Sequence, residues 1–122
     1  MGQTRKKFFG IPKDLYICLI YNPPTLSSYT RNLDKDILEC VEKDISHYNS
    51  LGNVILCGDI NARVSSEQDF ILQDNNSFIP LYQNYPNDKQ ITFRKSKDPK
   101  LDSRGKDLLD LCIGQQIRLL NN

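Results

Sequence analysis

Hydrophobic residues in this chain fall into two continuous runs and two helix-spaced stripes, separated by turn-rich stretches. Leu15-Tyr16-Ile17-Cys18-Leu19-Ile20-Tyr21 is an unbroken β-prone run stopped by Asn22-Pro23-Pro24. It predicts a buried strand that ends in a rigid turn, because proline fixes φ and removes a ladder donor. Val54-Ile55-Leu56-Cys57, closed by Gly58, predicts a second strand. Four apolar residues in a row leave no polar face, so this strand is expected to be buried and central in its sheet. Between the two runs, Leu33, Ile37, Leu38, Val41, Ile45 and Tyr48 recur at helical spacing, with Asp34, Lys35, Asp36, Glu42, Lys43 and Asp44 facing outward. That is an amphipathic helix, with Thr30 or Asn32 as its cap and a stop within residues 49–52.

The second half is less regular. Residues 64–100 carry Asp74-Asn75-Asn76-Ser77, Pro80, Pro86-Asn87-Asp88 and Pro99, all turn signals, and only Ile91-Thr92-Phe93-Arg94 resembles a short strand. A long irregular segment within a compact domain is uncommon and often functional. Ser103 is placed to cap a second helix reaching about Gln116, with Leu108, Leu109 and Cys112 on its inner face, and Ile117-Arg118-Leu119-Leu120 reads as a third strand. Strand, helix, strand, loop, helix, strand is an α/β order.

A length of 122 residues suits one domain, spanning 1–122 with residues 1–8 as a disordered lead. Formal net charge is +1, so no bulk basic field demands a nucleic-acid partner and none excludes one. Arg5-Lys6-Lys7 is the only dense basic cluster; it reads as a solvated terminus, with a nuclear address or a phosphate contact as the alternatives. Cys18, Cys40, Cys57 and Cys112 all have apolar neighbours and form no C-x-x-C pair, which predicts buried free thiols in a reducing, intracellular compartment. No run approaches membrane-spanning length, and Met1-Gly2-Gln3-Thr4-Arg5 leads into charge rather than an apolar signal.

The candidate chemistry sits where the second strand runs out. Gly58-Asp59-Ile60-Asn61-Ala62-Arg63 places a carboxylate and a carboxamide two residues apart, on the same side of an extended backbone. The carboxylate can accept a proton from water while the amide donates to an anion. In α/β folds, ligands bind at the carboxyl ends of strands. The bland alternatives are a turn cap for Asp59, a local Asx-turn for Asn61, half-buried packing for Tyr21 and a surface arginine for Arg63. Asp102, Asp107 and Asp110 read as structural acids near the start of the second helix.

Gly58-Asp59-Ile60-Asn61 after a hydrophobic strand resembles the Gly-Asp-x-Asn motif of the endonuclease/exonuclease/phosphatase superfamily. Tyr21-Asn22-Pro23-Pro24 looks like the Tyr-x-Pro turn of that family. Ala62-Arg63, and Gly105-Lys106-Asp107-Leu108-Leu109-Asp110-Leu111-Cys112 followed by Ile117-Arg118-Leu119-Leu120-Asn121, look like the endonuclease domains of LINE-type (non-LTR) retrotransposons. The resemblance runs from about Phe9 onward and implies part of a four-layer α/β/β/α sandwich. It implies phosphodiester hydrolysis of DNA with Mg²⁺, in which Asp59 orients or deprotonates water, Asn61 bonds the water or the scissile phosphate, and Tyr21 donates its phenol to a phosphate oxygen. Arg63 is a further candidate phosphate contact. The family's metal-binding Glu and its Ser-Asp-His motif have no counterpart here, and His47 lies in the first helix, so the expectation is a central, inactive piece of a nuclease domain. The alternatives are a small-molecule phosphatase of the same superfamily and a non-catalytic relic or interaction piece of a retroelement.

Overall fold

A computed structural model describes residues 2–4, 10–28, 36–71 and 93–120. The chain divides into two compact units, Met1–Ala62 and Arg63–Asn122.

In the first unit, strand β1 (Gly2–Thr4) pairs antiparallel with strand β2 (Asp14–Tyr21). The expected disordered lead therefore contains a short strand, while Arg5-Lys6-Lys7 lie outside the described residues. Helix α1 (Ile37–Asn49) follows, and strand β3 (Gly52–Asp59) pairs with β2 in parallel. The two apolar runs thus became strands and the stripe between them a helix, a mixed α/β arrangement. Leu38, Val41 and Ile45 are buried at helical spacing, and Tyr48 sets its ring 4.8 Å from that of Tyr16. Asp36, expected on the outer face, is the cap: its carboxylate accepts from the Leu38 N–H at 2.9 Å. Thr30, Asn32 and Leu33 lie outside the described residues.

Strand β3 departs from expectation. Among the described residues the order β1-β2-β3 leaves it at an edge, and its side chains alternate between half-buried and exposed. The register explains the alternation. Tyr16, Cys18 and Ile20 pair with Val54, Leu56 and Gly58 on the face that meets α1, whereas Ile17, Leu19 and Tyr21 pair with Ile55, Cys57 and Asp59 on the other. A continuous apolar run becomes a fully buried strand only when both faces are covered. Gly58 has a more demanding reason than a turn: its φ is +128°, and a Cβ there would collide with the Ile20 carbonyl of the neighbouring strand.

In the second unit, helix α2 (Ser103–Gln115) buries Leu108, Leu109, Leu111 and Cys112. Its cap is Asp102, one residue before the expected Ser103; the carboxylate accepts from the Gly105 N–H at 2.6 Å. Gln116, at φ +55°, ends the helix. Residues 117–120 do not form the expected third strand. The Ile117 N–H donates to the Cys112 carbonyl and the Leu119 N–H to the buried carboxylate of Asp69 at 2.6 Å. With their donors taken by a helix end and a side chain, these residues have no ladder to join. Arg118 also faces Asp69, at 3.6 Å, and lies 4.0 Å over the Phe70 ring. Arg94 is buried and orders part of the irregular segment, donating to the carbonyls of Ser65 at 2.7 Å and Glu67 at 3.0 Å. Ile91 and Thr92 lie outside the described residues, and Phe93 and Arg94 are not in a strand.

The four cysteines are free, but only Cys112 is buried; Cys18 is half-buried and Cys40 and Cys57 are exposed. Apolar neighbours in sequence did not bury Cys40 because it sits on the outer side of α1, nor Cys57 because it lies on the uncovered sheet face. Burial pushes the Cys112 thiol up to about 12. Brief alkylation of the native chain is expected to label Cys40 and Cys57 and to leave Cys112 unmodified until the chain is unfolded, as read by peptide mass spectrometry. Gly58→Ala is expected to destabilise by about 3 kcal/mol, from strain plus collision. Gly114→Ala, at a helical position open to space, should stabilise by about 0.5 kcal/mol. Urea unfolding of both variants gives the two signs.

Candidate functional site

Tyr21 and Asp59 form the last pair of the parallel β2–β3 ladder. Neighbouring strands lie about 4.8 Å apart and paired residues project to the same face. Tyr21 and Asp59 therefore start from neighbouring positions on one sheet face at the carboxyl end of two parallel strands, both exposed; Tyr21 retains 65% of its surface.

Just beyond the ladder the two chain segments are laced together. The Asn22 N–H donates to the Asp59 carbonyl at 2.8 Å, and the Asn22 carbonyl accepts from Nδ2 of Asn61 at 2.8 Å. Asn61 has a left-handed backbone, φ +49°, and its N–H turns back to Oδ1 of Asp59 at 3.0 Å. Asparagine and glycine enter this region at the lowest cost. Asp59 therefore caps the turn while the residue remains exposed. Asn61 is half-buried and Asn22 retains only 4% of its surface. Chemically, this corner offers an oxygen acceptor beside a phenolic donor, which suits activation of water or an alcohol next to an anion.

Arg63 opens the second unit and is held within it. Its Nε and Nη2 donate to the two carboxylate oxygens of Asp98, each at 2.7 Å. Asp102 accepts from the Arg63 N–H at 3.1 Å, and its own N–H donates to the Arg63 carbonyl at 3.0 Å. Gly105 fits close by because a Cβ there would strike that same carbonyl. Asp98 takes the Nε/Nη2 edge of Arg63, so a phosphate would have to use the other guanidinium edge or displace this two-point ion pair. Asp107 and Asp110 are exposed on α2, and His47 is exposed on α1 with its ring edge-on to Tyr48.

Among the described residues no three His, Cys, Asp or Glu side chains come together as metal ligands, and no helix is long and apolar enough to cross a membrane. Comparison with protein-family models, with curated proteins and with solved structures finds no significant match.

Sequence reasoning named Tyr21, Asp59 and Asn61 and missed Asn22, whose contribution is its backbone. The available signal was register: two strands that stop at Tyr21 and Asp59 leave Asn22 facing the residues after Asp59. Asp98 was also missed, because nothing in its local sequence points to Arg63.

The Arg63 guanidinium bonded to Asp98 draws that carboxyl from 3.8 down to about 2, helped by the Lys100 N–H. The folded-state value lies below the unfolded one. The stabilisation is therefore complete above about pH 4 and lost as pH falls through about 2. The carboxyl carbon signal of Asp98 is expected to titrate near 2 in the parent chain and to return toward the ordinary aspartate range in Arg63→Gln. An unchanged midpoint would contradict the pairing.

Proposed function

We propose that this chain carries one corner of a phosphodiester-handling site of the endonuclease/exonuclease/phosphatase type, with DNA as the partner. The observation that carries this reading is the pairing of Tyr21 with Asp59 at the ends of two parallel strands, laced by Asn22 and Asn61. In this reading Asp59 orients or deprotonates the attacking water, and Tyr21 donates to a phosphate oxygen. The four-layer sandwich is the fold that goes with it. The exposed apolar side chains of Leu19 and Ile55 on the outer face of β2 and β3 support that choice, since the inner face of a two-sheet core has this character.

Mg²⁺ belongs to this reading only through the resemblance. Among the described residues Asp59 is the one carboxylate at the corner, so the chain would contribute a single charged ligand and Mg²⁺ would take the rest of its shell from waters and substrate phosphate. The described residues do not build a complete protein-held metal site. The same observation favours a second reading, a non-catalytic piece of a retroelement that retains phosphate recognition.

Titration of the ¹⁵N-labelled chain with a short DNA duplex is expected to shift the signals of Tyr21, Asn22 and residues 59–62, and Asp59→Asn together with Tyr21→Phe should weaken that response. Shifts confined to other surfaces would overturn the reading. The purified chain is expected not to nick supercoiled plasmid in Mg²⁺. Nicking that disappears in Asp59→Ala would show a complete active site and sink the non-catalytic reading.

A further inference from the structure

We propose that Asn61 is a positioning residue whose carboxamide replaces a missing rung of the β2–β3 ladder and so holds the Tyr21 phenol beside the Asp59 carboxylate. In a regular parallel ladder, one residue's N–H and C=O bond to the two residues that flank its partner on the neighbouring strand. Asn22 makes the first of these bonds normally, its N–H donating to the Asp59 carbonyl at 2.8 Å. Its carbonyl would then receive the backbone N–H of residue 61. That N–H is instead on the Asp59 carboxylate at 3.0 Å, and the backbone at Asn61 is left-handed, φ +49°. The Asn61 side chain fills the gap, donating Nδ2 to the Asn22 carbonyl at 2.8 Å.

The exchange explains the residue types. Position 59 needs a short acceptor to take the displaced N–H. Position 61 needs a residue that tolerates left-handed backbone and carries an amide, and asparagine meets both needs. Pro23 and Pro24 offer no backbone N–H to continue the ladder on the β2 side, so the rung supplied by Asn61 is the last available before the segments part. Asn22 is nearly fully buried, so an unpaired carbonyl there would be costly. The amide hydrogen committed to Asn22 fixes the carboxamide in place, and through that bond Asn61 positions Tyr21 and Asp59. The functional meaning of this arrangement rests on the proposed phosphodiester reading; the geometry stands apart from it.

Nuclear magnetic resonance of the full chain tests the assignment without DNA or metal. In the parent, one of the two Asn61 side-chain amide protons should exchange with solvent markedly more slowly than the other. Cross-relaxation between the Tyr21 ring and the Asp59 β-protons should be strong. Asn61→Gly keeps the left-handed backbone but removes the donor, and Asn61→Asp keeps the size but replaces the donor with an acceptor. Each should at least halve the Tyr21–Asp59 cross-peak while the core signals of Ile45 persist. Val41→Ala, which weakens the core only, should leave that cross-peak unchanged. Equal, fast exchange of both Asn61 side-chain protons in the parent would overturn the proposal even if a variant failed to fold, as would an undiminished cross-peak in both folded variants. Loss of the DNA response with the slow proton intact would instead sink the phosphodiester reading and leave the positioning role standing.

Discussion

The first unit depends on the close parallel approach of β2 and β3. Only a glycine at position 58 lets the Ile20 carbonyl come as near as it does, and that approach sets the register down to the final pair, Tyr21 with Asp59. Shifting a strand by one residue would turn every side chain to the opposite face. Tyr16 and Ile20 would then leave their place against α1, and Asp59 would turn away from Tyr21. The core and the candidate site are thus two consequences of one register. Burial of Ile20 on one face puts Tyr21 on the other, where it is exposed.

The end of the ladder shows how a small motif can be read physically. Asp59 and Asn61 exchange the hydrogen bonds that plain backbone would have made, and the exchange places an acidic side chain and an amide at a strand exit without leaving the Asn22 carbonyl unpaired. The same two residues therefore satisfy a structural demand and, under the proposed phosphodiester reading, a chemical one. A Gly-Asp-x-Asn sequence would be retained for the turn alone, so the motif by itself does not separate a working site from a retired one. The phenol of Tyr21 beside the carboxylate is the feature that the turn does not require.

The elements of the first unit were legible in sequence because each is local. An apolar run stopped by prolines, a helical stripe and an apolar run closed by glycine gave β2, β3 and the end of α1 to within two residues, while the start of α1 is Ile37, capped by Asp36 rather than by Thr30 or Asn32. Their environment was not legible. Val54-Ile55-Leu56-Cys57 carries no polar residue to mark a solvent side, so nothing local distinguishes a covered strand from the edge strand it forms. The same limit applies to Cys40 and Cys57, which point to open surface although their neighbours Leu38, Val41 and Leu56 are buried or half-buried. In the second unit α2 was legible by its spacing. The strand expected at 117–120 failed because a distant carboxylate, Asp69, takes the Leu119 N–H. Arg94 and Asp98 likewise act on residues some thirty positions away, which no local pattern reports.

The pairing of Tyr21 with Asp59 is the claim on which the rest stands, and a disulfide trap tests it directly. In a background with Cys40, Cys57 and Cys18 replaced by serine or alanine, Tyr21→Cys and Asp59→Cys place two thiols on one face of neighbouring strands. Their Cα separation then falls within the roughly 4.4–6.8 Å that a disulfide spans. Rapid intramolecular oxidation of this pair is expected, with slow or no oxidation when residue 60 replaces residue 59 as the partner. Equal or faster trapping at residue 60 would mean that the strands pair in a different register, and the phenol and carboxylate do not meet.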